Sequence, residues 1–185
     1  FRRFIVGQDP RNLNRIWDQM FWASRYYGGK GLPLWAISAI DLALWDLLGL
    51  LRQEPVYKMI GGAVREEIEL YCTGIRPDVA KEAGFIGGKM PITHSPADRQ
   101  EGLNANVEHF REMRDRVGPD FQLMADCWMS LDVPYAVELA YALREIGVYW
   151  LEEALHPDDF DGYKLLKERA PWMRWTSGEH EYTRY

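Results

Sequence analysis

Cysteine is nearly absent from this 185-residue sequence: Cys72 and Cys127 are its two, and histidine occurs four times. Two cysteines cannot build a disulfide framework, so a reducing compartment, the cytoplasm, is the expected setting. Basic residues are outnumbered as well. The 22 Lys and Arg against 28 Asp and Glu leave a formal net charge of −6, which argues against nucleic acid or an anionic membrane surface as main partner. Long apolar runs are missing; the stretch Leu42 to Leu51 is interrupted by Asp46 and reads as too short for a bilayer. Low-complexity tracts and short-period repeats are missing too. No charged segment followed by an apolar one opens the chain, so a signal peptide is not expected. The start at Phe1 reads as that of a piece of something longer. What remains, 47% hydrophobic and 27% charged, is ordinary globular composition.

After residue 67 short runs rich in β-formers alternate with longer amphipathic stretches. Ile68–Thr73, Gly84–Met90, Phe121–Asp126, Val148–Glu153 and Trp175–Glu179 read as strands, the second weakened by three glycines. Between them Ala97–Val117, Val133–Ile146 and Asp158–Ala170 carry apolar residues at helical spacing. This rhythm is that of βαβ units with a parallel sheet, either an open doubly wound sheet or a (β/α) barrel. Ahead of it, Pro10–Tyr26 and Leu34–Leu51 read as two helices joined by Gly28-Gly29-Lys30-Gly31. That glycine cluster does not follow a strand, so it fails as a phosphate loop. The helical part reads as the end of a preceding domain, residues 1–62, with the strand-rich domain from 63 to 185 and Gly61-Gly62 as the boundary.

Acidic residues fall at the ends of three successive strands: Asp126, the pair Glu152-Glu153, and Glu179. The intervals, 152 − 126 = 26 and 179 − 152 = 27 residues, are each about one βα unit. Parallel strands would deliver all three to one C-terminal rim, where barrel active sites sit. Carboxylates converging there repel and lose hydration, and a divalent cation with hard oxygen ligands compensates both costs. A single strand-end acid more often caps a helix or pairs with a base; three in phase favour the metal. Side chains alternate along a strand, so one of Glu152 and Glu153 points inward, and spacing leaves the choice open. Lys89, on the second strand, either holds a substrate carboxylate or pairs with a rim acid, although a solvated lysine is as good a reading. His94, His156 and His180 are rim-placed, but lone loop histidines are more often incidental. Trp128 is placed in the site wall and Cys127 is a packed thiol turned away from it.

With these residues in place the chain resembles the mandelate racemase-like branch of the enolase superfamily. The helix 36–51 followed by Gln53-Glu54-Pro55-Val56-Tyr57-Lys58-Met59-Ile60-Gly61-Gly62 is similar to the branch's junction between capping domain and barrel. The words GFIGGKMPITH, LMADCWMSLDVPYA and TSGEHE are similar to those of its L-rhamnonate dehydratases. The resemblance implies an α/β fold: the first five strands of an enolase-type (β/α) barrel, preceded by the helical end of an α+β capping domain. It implies Mg²⁺ held by Asp126, Glu152 and Glu179, with Glu153 behind the ligands. It implies an acid-sugar substrate bound through its carboxylate and 2-hydroxyl, loss of the α-proton to a base, and departure of the 3-hydroxyl. A symmetric homo-oligomer follows from the same likeness, while the expectation of no nucleic-acid or membrane partner rests on the acidic balance.

The branch's Lys-x-Lys pattern reads Lys89-Met90-Pro91 here, so Lys89 can hold substrate but the second, basic lysine is missing. That disfavours a two-base racemase and favours a one-base dehydratase. The expected base, a His paired with an Asp, belongs to later strands, beyond Tyr185. A dehydratase or racemase of another sugar acid, and a metal-binding barrel without catalysis, are the competing expectations.

Overall fold

The computed structural model of the chain describes residues 1–183. Contacts divide it into two units, Phe1–Glu67 joined by Tyr182 and Thr183, and Ile68–Glu181; each is described by itself.

The first unit is helical. α1 (Leu13–Ser24), α2 (Leu32–Arg52) and the single turn α3 (Val56–Met59) follow one another, with a 3₁₀ turn at Arg25–Tyr27. Ile16, Met20 and Phe21 recur at helical spacing on α1, as do Leu34, Ile37, Leu44 and Leu48 on α2, and these two faces form the buried core. Pro33 sits in the first turn of α2, where its missing N–H costs nothing. Gln53, in the left-handed region at φ 54°, ends the helix by donating its N–H to carbonyls of the last turn. α2 corrects the expectation drawn from 42–51. It is 21 residues long, with a mean hydropathy of 1.7, and by length and composition alone is long and apolar enough to cross a membrane.

The second unit alternates strand and helix: β1 (Tyr71–Thr73), α4 (Pro77–Glu82), β2 (Gly87–Pro91), α5 (Arg99–Val117), β3 (Gln122–Asp126), α6 (Val133–Leu143), β4 (Leu151–Glu152), α7 (Phe160–Arg169) and β5 (Trp175–Thr176). The strands lie in the order β1-β2-β3-β4-β5, and every pair is parallel. This is the α/β arrangement expected, five successive strands of a (β/α) barrel.

Alternation along each strand sorts its residues between two faces. Leu123, Ala125 and Cys127 of β3 and its end pack into the core shared with Phe110, Leu139, Leu143 and Leu166 of the helices. Asp126 takes the opposite direction, and Cys127 is fully buried in the core, as alternation required. The expected weakness of β2 is not found. A Cβ on Gly87 would lie 2.6 Å from the Gln122 carbonyl oxygen, and one on Gly88 2.7 Å from Pro77 Cβ. The glycines let β2 approach its neighbours closely.

Several element boundaries differ from the sequence reading, and one helix was not foreseen. Residues 68–70 lie outside β1, and α6 ends at Leu143 rather than Ile146. α4 was missed, because six residues are too few for helical periodicity to show. β5 ends at Thr176, so Glu179 lies in the turn beyond the strand and not on it.

Candidate metal centre

Strand register sets the level of the rim residues. Asp126 pairs with Glu152 across β3 and β4, and Glu152 with Thr176 across β4 and β5. The two carboxylates therefore stand side by side at the C-terminal end of the sheet. Glu179 joins them from its turn: one oxygen from each of Asp126, Glu152 and Glu179 lies within 4.8 Å of the other two. The turn is possible because Gly178 adopts φ 126°, a conformation that disfavours a side chain.

Lys89 approaches from one layer deeper. It pairs in register with Met124, two residues before Asp126, and its long side chain rises to the rim. Its ammonium lies 3.1 Å from Asp126 Oδ2 and is hydrogen-bonded to Glu152. Burial pushes the Lys89 pKa down, but the hydrogen bonds to Glu152 and Asp126 outweigh it and hold the ammonium above its ordinary value. The other oxygen of Glu152 accepts from Trp150 Nε1 at 3.0 Å, and Trp150 sits two residues back on the same side. Asp126 Oδ1 accepts the Trp128 N–H at 3.1 Å.

Glu153 borders the cavity over this cluster but turns its carboxylate toward the turn that carries Glu179. Only 1% exposed, it accepts the Gly178 N–H at 2.9 Å, and its other oxygen lies 3.0 Å from His180 Nδ1. Between the two adjacent glutamates, it is thus Glu152 that joins the three-carboxylate cluster. Spacing alone had left that choice open.

A cavity of about 500 Å³ opens over the cluster, lined by Thr73, Lys89, Asp126, Trp128, Met129, Glu153, Glu179 and His180. Trp128 is in the wall, as expected, and 70% exposed. His180 reaches the site through Glu153, whereas His156 instead lies 3.8 Å from Asp158. His94 lies outside the lining; its ring faces the Thr93 hydroxyl at 2.9 Å. Sequence reasoning missed Thr73 and Met129. Thr73 ends β1 and was open to the same strand-end rule. Met129 was not, since it depends on a bend in which Trp128 and Met129 both adopt positive φ, 52° and 59°.

The charges in this cavity do not balance. Three carboxylates and one ammonium leave 3 − 1 = 2 negative charges on the clustered groups. The donors are all hard oxygens, the set that suits a divalent cation such as Mg²⁺.

Comparison with known proteins agrees with this architecture. Residues 2–61 match the N-terminal domain of mandelate racemase / muconate lactonizing enzymes, and residues 76–185 match the enolase C-terminal domain-like family. An L-rhamnonate dehydratase from Saccharopolyspora erythraea is 60% identical over 184 residues, covering 99% of this chain and 47% of that protein. The crystal structure of L-rhamnonate dehydratase from Gibberella zeae superposes with a TM-score of 0.95 at 54% identity, over 100% of this chain and 47% of that one. A second structure of the Gibberella zeae rhamnonate dehydratase, complexed with Mg, gives the same TM-score and identity and covers 45% of that chain. The chain thus spans about half the length of the curated relatives it matches. It belongs to the enolase superfamily, in the mandelate racemase-like branch, and carries the first five strands of the enolase-type barrel behind the helical end of the capping domain.

Proposed function

We propose that the full-length protein containing this chain is a Mg²⁺-dependent acid-sugar dehydratase acting on L-rhamnonate, with Asp126, Glu152 and Glu179 as its metal ligands. The observation that carries the reading is the cluster of those three carboxylates under a cavity, two of them paired with Lys89. The likeness to L-rhamnonate dehydratases over 99% of the chain supports the substrate. The relative complexed with Mg supports the cofactor. Residues 1–62 form the helical part of the capping domain and 63–185 the first part of the barrel, a division that the family matches at 2–61 and 76–185 support. A cytoplasmic homo-oligomer is the setting this reading implies.

The α-proton of a carboxylate is too weakly acidic for an unaided side-chain base. A bound Mg²⁺ supplies charge stabilisation to the carboxylate oxygens as that proton leaves. Asp126, Glu152 and Glu179 hold the ion, and the Lys89 ammonium offers a second positive charge for the substrate carboxylate. Trp128 and Met129 wall the cavity beside them. The proton-abstracting base belongs to the part of the barrel beyond Tyr185, so the 185-residue chain alone forms no product.

The test is conversion of L-rhamnonate to its 2-keto-3-deoxy acid by the full-length protein. Asp126→Asn and Glu179→Gln should each lower turnover about a thousandfold, the scale of several kcal/mol of lost charge stabilisation. Turnover unchanged in both variants would refute the metal role. A wild-type protein that binds Mg²⁺ yet converts no sugar acid would make this a binding barrel without catalysis.

A further inference from the structure

We propose that Glu153 is the positioning residue of the metal centre: it clamps the turn that carries Glu179 and so pre-sets the third ligand. The proposal rests on the metal reading above and deepens it. Glu179 is the one member of the cluster that no strand holds, since β5 ends at Thr176. A free turn would let three like charges spread apart. What restrains it is the carboxylate next door to Glu152. One Glu153 oxygen accepts the Gly178 N–H at 2.9 Å and the other meets His180 Nδ1 at 3.0 Å. Gly178 and His180 are the two neighbours of Glu179, so both ends of that residue are tied to a single side chain.

Several features show that this clamp is built in. Glu153 is 1% exposed, and a buried carboxylate is tolerated only when partners satisfy it. Its backbone takes φ 48°, a conformation unfavourable for glutamate that turns the side chain toward the β5 turn. Its own N–H still donates to the Thr176 carbonyl at 2.9 Å, which fixes the end of β5. The Glu181 N–H closes the turn on the Gly178 carbonyl at 3.1 Å. Adjacent glutamates therefore divide two tasks. Glu152 faces the cluster, and Glu153 holds the loop that completes it.

Mg²⁺ affinity, measured by titration calorimetry on the full-length protein, separates this from a role in stability alone. Glu153→Gln should bind Mg²⁺ about 10- to 100-fold more weakly, the usual effect of losing a partner behind a ligand. His180→Ala, at a partly exposed position, removes one leg of the clamp and should weaken binding by about tenfold. Thermal unfolding in EDTA reports separately what the buried Glu153 oxygen costs when it loses its partner, and the loss of Mg²⁺ affinity should be read on His180→Ala protein that this measurement shows to be folded. If Glu153→Gln fails to fold, His180→Ala carries the test by itself. Wild-type affinity in His180→Ala and in a folded Glu153→Gln, with binding abolished in Glu179→Gln, overturns the clamp and leaves the metal centre intact. Undiminished binding in Glu179→Gln and Asp126→Asn overturns both.

Discussion

Lys89 stands beside Asp126 although their strands place them in different layers. The register pairs Lys89 with Met124 and Asp126 with Pro91, yet the ammonium and the carboxylate meet at 3.1 Å. The lysine side chain spans the layer and reaches Glu152 as well. All three side chains are largely shielded, at 8%, 13% and 14% exposure, so this cation balances charge that water screens poorly. Lys89→Met should cost the metal-free protein about 3 kcal/mol at neutral pH, because two buried carboxylates lose their partner. Mg²⁺ should then raise the unfolding midpoint more in the variant than in wild type, since a ligand that binds only the folded state stabilises it. Thermal unfolding in EDTA and in excess Mg²⁺ checks both statements. A variant as stable as wild type in EDTA would show that Lys89 does not offset the acids.

Asn106 pins the loop that leaves β2. Fully buried on α5, its Oδ1 accepts the N–H groups of Thr93 at 2.9 Å and His94 at 3.1 Å. Its Nδ2 donates to the His94 carbonyl at 2.9 Å and to the Tyr135 hydroxyl at 3.2 Å. Asn106→Ala should destabilise the fold by about 3 kcal/mol, the scale of buried groups left unsatisfied. Urea denaturation with an unchanged slope is the measurement. A loss near zero would mean that water replaces the amide.

Cys127 should be chemically silent. Burial pushes its thiol pKa far up, and the charges of Asp126 and Glu152 add to the effect. The thiolate, which is the reactive form, is then absent at ordinary pH. Labelling with a disulfide reagent at pH 8 should leave Cys127 untouched in the native protein and modify it in urea. Rapid native labelling of that residue, located by mass spectrometry, would contradict the packing described here.

The capping box ahead of α5 sets a pH dependence. The Ser95 N–H donates to the Asp98 carboxylate at 2.9 Å, and this bond, outweighing a smaller opposing effect of burial, holds the Asp98 pKa below its ordinary value. A depressed carboxylate contributes stability above its unfolded pKa, and that contribution is lost as pH falls through the folded value. Asp98→Asn should therefore be less stable than wild type at pH 7, and the gap should close in acid, below the usual carboxylate range. Parallel urea titrations across that range test it; a gap that widens in acid would reverse the assignment.

Much of this architecture is written along the chain. Strand and helix alternate because apolar residues recur with period two and then at helical spacing, and neither pattern needs a partner to be visible. Asp126 and Glu152 are legible for the same reason: parallel strands carry their ends to one rim, so position along the strand is position in space. α4 lacked enough residues to show a period, whereas α2, read as 34–51, lies within two residues of its observed ends. Glu179 was placed at the rim by a strand that the structure ends three residues earlier, at Thr176. What brings it to the cluster is a bend at Gly178 and a carboxylate from the preceding unit. The choice between Glu152 and Glu153, and the partners of Lys89, likewise depend on side chains from other strands. Sequence by itself determined which residues arrive at the rim, because local periodicity dictates the elements. Only the tertiary structure decided which of them face one another, because that depends on loop conformation and on contacts between residues far apart in the chain.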